Sequence, residues 1–304
     1  LISESAWEEM TCLFAPSLGI VAPKLTSEIH IDPAMMGIVF SAFAWTYALA
    51  QIPGGMFLDR FGNKLTYALA IFFWSTFTLL QSFSVGLKSL LLLRLGLGIS
   101  EAPCFPVNSR VVSKWFPQHE RARATATYTV GEYIGLAAFS PLLFLILEHH
   151  GWRTLFILTG GLGIAFTFVW WKFYHEPHQS KTANKAELEY IGVENTAAAN
   201  ENIPFNWPDA KLLLCCRQII GASLGQFAGN TTLVFFLTWF PTYLANERHL
   251  PWLHVGFFAS WPFLAAAIGI FFGGWASDKI LKKTQSVNIL SLIHISEPTR
   301  LLSI

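Results

Sequence analysis

The chain has 304 residues, 53% of them hydrophobic and only 13% charged, with a mean hydropathy of +0.45. Soluble domains carry roughly twice that share of charge, so the composition excludes an ordinary water-soluble globule and points to a protein solvated by a lipid bilayer. A net charge of +1, with the basic residues scattered in short clusters, argues against nucleic acid as a partner. Cys12, Cys104, Cys215 and Cys216 stand in or beside apolar segments without metal-ligand spacing; they read as buried free thiols, and no metal or cofactor is expected.

Taken in chain order, residues 1–10 hold Glu4, Glu8 and Glu9 and form an abnormal N-terminal end. The apolar run at 12–23 is too short to cross a membrane alone, so a truncated first helix is expected. Windows without Asp, Glu, Lys or Arg follow at 34–58, 65–87, 154–171, 218–246 and 249–277, each near the roughly 20 residues that span a bilayer as helix. Two further spans tolerate internal charge: 89–112, with Arg94, Glu101 and Arg110, and 125–147, with Glu132. No signal-peptide pattern precedes them. Read as helices 2 to 8 of an all-helical bundle, these spans sort the basic residues unevenly. Arg60, Lys64, Lys114, Arg121, Lys172 and Lys279, among others, fall on one side; Lys24, Lys88, Arg153 and Arg248 fall on the other. The positive-inside rule makes the first side cytoplasmic. The expected organisation is a first transmembrane bundle over 11–173, a cytoplasmic linker over 174–211 with a helix near Lys185, and the start of a second bundle over 212–283. Residues 284–304 are read as a tail, which from 290 resembles translated sequencing adapter, and the chain as a fragment.

An internal repeat carries more information than any single span. Gly55-Met-Phe-Leu-Asp59-Arg60 reappears 219 positions later as Gly274-Trp-Ala-Ser-Asp278-Lys279, and in both copies the preceding apolar stretch starts at a glycine, Gly37 or Gly256. A whole span and its exit loop are duplicated, which describes a membrane protein of two similar halves.

The motifs also resemble a known family. Gly55-x-x-x-Asp59-Arg60-x-Gly62-x-Lys64 and its partner Gly274-x-x-x-Asp278 resemble the signature of the major facilitator superfamily. Phe40-Ser-Ala-Phe-Ala-Trp-x-Tyr47, Gln51-Ile-Pro-Gly-Gly, Arg94-x-x-x-Gly98-Ile-Ser-Glu101-Ala-Pro-x-Phe-Pro106, Trp115-Phe-Pro and Glu120-Arg121 are similar to its anion:cation symporter branch, which includes sugar-acid transporters. The resemblance implies two six-helix bundles, a central cavity and alternating access, with uptake of a small organic anion coupled to H+ across a bacterial inner membrane and no obligate protein partner. Members of the branch usually carry an Asp-Arg pair where this chain has Phe14-Ala15.

Within that frame the charged residues of the spans are the candidate site. Arg94 and Glu101 lie seven apart, near one helix face but about 10.5 Å apart in rise, too far for a direct ion pair. A charge at membrane depth is costly without a partner or water. Arg94 is therefore read either as the receptor for a substrate carboxylate, to which guanidinium offers a two-pronged donor, or as locked to an acid on a neighbouring helix. Glu101 is the candidate proton carrier or, alternatively, a neutral packing residue; Glu132 is a second acid with a cavity role or none. Tyr47, Gln226 and Asn230 are candidate hydrogen-bonding partners for hydroxyls, with Gln226 and Asn230 one turn apart; polar packing between helices is the alternative for the latter two. Pro103 and Pro106 are expected to break the helix beside Glu101. On the resemblance, Gly55, Asp59, Arg60, Gly62, Gly274 and Asp278 belong to gating, with Glu120 and Arg121 joining that network. The glycine before each aspartate is expected to permit close helix approach. Carriage of phosphate esters or other anions, or a transporter-like sensor, are the rival functions; no Ser/His or metal-binding arrangement supports an enzyme.

Overall fold

The computed structural model describes residues 17–117, 120–179, 184–191, 212 and 215–284. The readings of both chain ends, and of most of the linker, lie outside these residues. Among the described residues every regular element is helical. They are α1 (Ser17–Ile29), α2 (Pro33–Gln81), α3 (Leu87–Glu101), α4 (Cys104–Trp115), α5 (Arg121–Phe173), a 3-10 turn (Pro177–Gln179), α6 (Lys185–Ile191), α7 (Arg217–Asn246) and α8 (Trp252–Thr284).

Helices α2 and α5, of 49 and 53 residues, would each be over 70 Å long if straight, roughly twice what a bilayer core accommodates. Each is folded in two at one glycine. Gly62 has φ +76 and ψ 172, and Gly151 has φ +78 and ψ 172, a region open essentially to glycine alone. Gly62 joins the second span to the third and Gly151 the fifth to the sixth, so the two three-helix units of the bundle turn by one backbone device. Asp32 starts α2 by accepting the backbone N–H of Ala34, with Pro33 in the first turn, where its missing donor costs nothing. The third span was expected to reach residue 87, but the helix stops at Gln81. The Ser82 and Ser84 hydroxyls donate to the carbonyls of Leu79 and Gln81 and turn the chain early.

Packing places the predicted ends of the spans together at two poles. At one, Lys24 Nζ donates to the Leu147 carbonyl at 2.7 Å and lies 5.6 Å from the Trp252 ring, and Glu28 accepts from Trp152 Nε1 at 2.7 Å. At the other, Trp170 Nε1 donates to the Lys64 carbonyl, and Trp170 stacks on Tyr174 and lies tilted against Tyr67 at 4.5 Å. A core at the first pole joins α1 and parts of α2, α3 and α5 to Leu244, Val255 and Ala259 of α7 and α8. A second core, at the Tyr174 pole, draws on α2, α3, α4 and α5 with Tyr174. A small mid-depth cluster packs Phe263 of α8 on Leu136 and Ala137 of α5. Trp45, Leu49, Ile52 and Met56 form an exposed apolar stripe along α2, the kind of surface a bilayer covers.

The 219-residue repeat extends well beyond its motif. Pro33 opens α2 and Trp252 opens α8, at that offset. Ser41 and Ser260 each donate to the carbonyl one turn back, of Gly37 and Gly256. His30 and His249, at φ +54 and +51, are the non-glycine residues in the left-handed region among those described, again at the same spacing.

Candidate functional site

The charged residues of the spans meet where α3 lies against both arms of α2. Gly96 and Gly98 make this possible. A Cβ at Gly96 would lie 2.5 Å from the Phe77 ring, and one at Gly98 would collide with Thr46 Oγ1 and lie 2.5 Å from the Phe43 carbonyl. Backbone approach this close is what glycine permits in membrane helices. Arg94, Gly98 and Glu101 share one face of α3, so the contact at Gly98 sets Arg94 against Phe43 and Glu101 toward Tyr47. The Arg94 guanidinium carbon lies 4.8 Å from the Phe43 ring centroid, and Phe43 stacks on Tyr47 at 5.5 Å. Tyr47 hydrogen-bonds Gln51 and feels the charges of Glu101 and Glu132; Glu101 also feels Arg94 and Glu132. Glu101 thus lies within electrostatic reach of the three other predicted residues, Tyr47, Arg94 and Glu132, and all four, from three spans, are half-buried.

Arg94 takes part in none of the ion pairs among the described residues, which removes the permanent partner as an account of it within those residues. Its Nε is buried and makes no hydrogen bond there. The helical hydrogen bonding is interrupted directly after Glu101: α3 ends, Ala102 and Pro103 keep right-handed helical angles, and α4 begins at Cys104, so the two helices make one span over Leu87–Trp115. Gln51, which the sequence reading placed only in a motif, emerges as a member of the group. Gln226 and Asn230 bond each other, Nε2 to Oδ1 at 3.4 Å, on an exposed face of α7. No described contact joins them to the group around Arg94.

The gating residues do not gather into one network among the described residues. Asp59 pairs with Arg110 of α4 at 2.8 Å, although its carboxylate is 68% exposed. Arg60 is exposed and lies 5.6 Å from the Phe61 ring. Among the described residues a Cβ on Gly55 would meet nothing within 4 Å, whereas its neighbour Gly54 makes a close approach there, against Pro103 at 3.1 Å. The reason is rotation: the residue before Gly55 faces α4, while Gly55 itself faces open space. Gly62 acts through its backbone angle, with open space around it. Glu120 and Arg121 do not join Asp59. Arg121 donates to the carbonyls of Ser113 and Phe116, closing the end of α4, and Glu120 accepts the Tyr190 hydroxyl of α6 at 3.0 Å. Lys114 pairs with Glu176 at 3.0 Å. The end of α4 is thereby tied to the second span, the start of the fifth and the segment after the sixth. Sequence spacing carried no signal for these pairings, whose partners lie 51 to 70 residues apart. Gly274 and Asp278 lie on α8, and their side-chain surroundings are outside the described residues.

Residues 10–295 match the sequence profile of the Major Facilitator Superfamily. The chain is 47% identical over 274 residues to the D-galactonate transporter of Escherichia coli O6:H1, covering 88% of this chain and 64% of that protein. It is 41% identical over 290 residues to a probable galactarate/D-glucarate transporter of Escherichia coli K12, covering 90% and 64%. It is 31% identical over 274 residues to the hexuronate transporter of Bacillus subtilis, covering 90% and 63%. The chain thus spans just under two thirds of the length of these relatives. Among solved structures, a bacterial homologue of the human lysosomal transporter Spinster, inward-facing and unoccupied, superposes with a TM-score of 0.67 at 22% identity, over 93% of this chain and 62% of that one.

Proposed function

Because the chain belongs to the Major Facilitator Superfamily, we propose that it works as a secondary active transporter that takes up a small organic anion of the sugar-acid class together with H+, by alternating access in a bacterial inner membrane. The observation that carries this reading is Arg94, a half-buried guanidinium in a span, held by no ion pair among the described residues and grouped with Tyr47, Glu101 and Glu132. Charge held at membrane depth without an ion pair is retained where it binds something. A carboxylate suits Arg94 because the planar fork of donors matches it bidentately. The relatives named for galactonate, galactarate/glucarate and hexuronate support a polyhydroxy acid.

In this mechanism Arg94 takes the substrate carboxylate and Tyr47 orients a hydroxyl. Glu101 picks up a proton on the side where the cavity is open and releases it on the other, and Glu132 is the second acid of the same group. The interruption at Ala102–Pro103 lets α3 and α4 shift relative to each other as the cavity changes sides. The Asp59–Arg110 pair, with Gly62, sits at the pole that we assign to the cytoplasm on the distribution of basic residues. Gln226 and Asn230 are proposed to reach substrate hydroxyls from the second half, and Gly274 and Asp278 to repeat the gate there.

The test is counterflow of labelled D-galactonate in proteoliposomes, using this chain completed with the parts of the Escherichia coli galactonate transporter outside the match. Exchange that is competed by glucarate or glucuronate and lost in Arg94→Ala supports the assignment. Exchange that survives Arg94→Ala, or no exchange with any of the three acids, removes it.

A further inference from the structure

We propose that Phe43 is a positioning residue that holds the Arg94 guanidinium by its face, so that all of the donors on its edge are kept for the bound anion. The proposal rests on the reading of Arg94 as the carboxylate receptor.

A buried arginine is ordinarily held by acids or carbonyls, and each such partner consumes N–H groups of the five-donor fork. An aromatic face attracts the same cation through its quadrupole and consumes none. Here the guanidinium carbon lies 4.8 Å from the Phe43 centroid, within the range of a cation–π contact. No acid of the described residues approaches within ion-pair distance, and Nε is buried without a hydrogen bond among them. Phe43 is itself braced. It stacks on Tyr47 at 5.5 Å and 29°, and Tyr47 is in turn hydrogen-bonded by Gln51.

The backbone is cut to the same arrangement. Gly98 follows Arg94 by one turn, and the Phe43 carbonyl and Thr46 Oγ1 occupy the space its Cβ would need. The distance between α2 and α3 at this level is therefore set by the absence of that one carbon. Any larger residue would push the α3 backbone, and Arg94 with it, away from the ring. Arg94, Phe43 and Tyr47 form a stack running from α3 to α2, with Gly98 as its spacer. Leucine at position 43 would fill a similar volume and stay apolar, but would offer the cation no quadrupole. Tyrosine would keep the face.

The experiment reads Arg94 directly. The completed transporter, purified in detergent, is treated with phenylglyoxal, and the adduct on the Arg94 peptide is followed by mass spectrometry, with and without D-galactonate. In Phe43→Leu the guanidinium is released and Arg94 modification rises about tenfold, the equivalent of about 1.4 kcal/mol; in Phe43→Tyr it stays within about twofold of the parent. Gly98→Ala, which leaves Phe43 intact but moves α3, raises the rate as Phe43→Leu does and guards against a misfolded leucine variant. Equal rates in Phe43→Leu and the parent, or an equal rise in Phe43→Tyr, overturn the proposal. If D-galactonate slows modification in the parent but not in Phe43→Leu, both the contact and its purpose are supported. If Phe43→Leu accelerates modification and D-galactonate protects none of the proteins, the stacking contact stands and the carboxylate reading of Arg94 falls.

Discussion

The two glycines of the Gly55–Gly62 motif answer to different physics, and replacing each by alanine separates them. Gly62 sits at φ +76 and ψ 172, with nothing within 4 Å of an added Cβ. Gly62→Ala therefore meets no neighbour, and its whole cost is backbone strain, about 1–3 kcal/mol for a residue forced into that region. Alanine also restricts the unfolded chain, which returns about 0.4–1 kcal/mol. The net expectation is a loss of roughly 1–2 kcal/mol. Gly151, with the same angles and the same open surroundings, should lose as much. Gly55 is helical with open space around it, so Gly55→Ala should gain about 0.5–1 kcal/mol from helix propensity. Unfolding in mixed micelles titrated with SDS, followed by tryptophan fluorescence, measures all three on one scale. Gly62→Ala as stable as the parent would refute the backbone account of the hairpin. Gly55→Ala losing more than about 1 kcal/mol would show that this glycine packs against something after all.

Three further outcomes follow from the site. In the completed transporter, Glu101→Gln should still exchange D-galactonate but lose uphill uptake driven by a pH gradient, whereas Arg94→Ala should lose both; intact pH-driven accumulation in Glu101→Gln would move the proton site to Glu132. Single cysteines at positions 60 and 88 should label from opposite sides, with position 88 reached by an impermeant reagent from outside intact cells; the reverse pattern inverts the proposed topology. The Tyr190 phenol is raised above its ordinary value, first by donating to Glu120, then by burial and by the negative charge beside it. Its hydrogen bond to Glu120 is therefore kept below the ordinary tyrosine range near 10 and is lost as pH rises through the raised value. The phenolate absorbance of Tyr190, taken as the difference from Tyr190→Phe, should titrate at lower pH in Glu120→Gln, and an unchanged midpoint would break the link.

The spans and the 219-residue repeat were legible in the sequence because each is written in local chemistry. Charge-free windows of bilayer length define the crossings, and the 219-residue offset reappears in three dimensions at Pro33 and Trp252. Arg94 and Glu101 announced themselves because charge inside an apolar span has few structural excuses. The tertiary structure decided what each residue touches. Gly54 rather than Gly55 makes the close contact with α4, Asp59 finds Arg110, Glu120 finds Tyr190, and an ordinary core phenylalanine, Phe43, lies over Arg94. None of this follows from spacing. Successive residues on a helix point about 100° apart, so composition fixes that a helix crosses the membrane but leaves its rotation free. That rotation is set only when glycines such as Gly96 and Gly98 let a particular pair of faces come together, and it alone determines which of two adjacent glycines, or which of several aromatics, meets the charge.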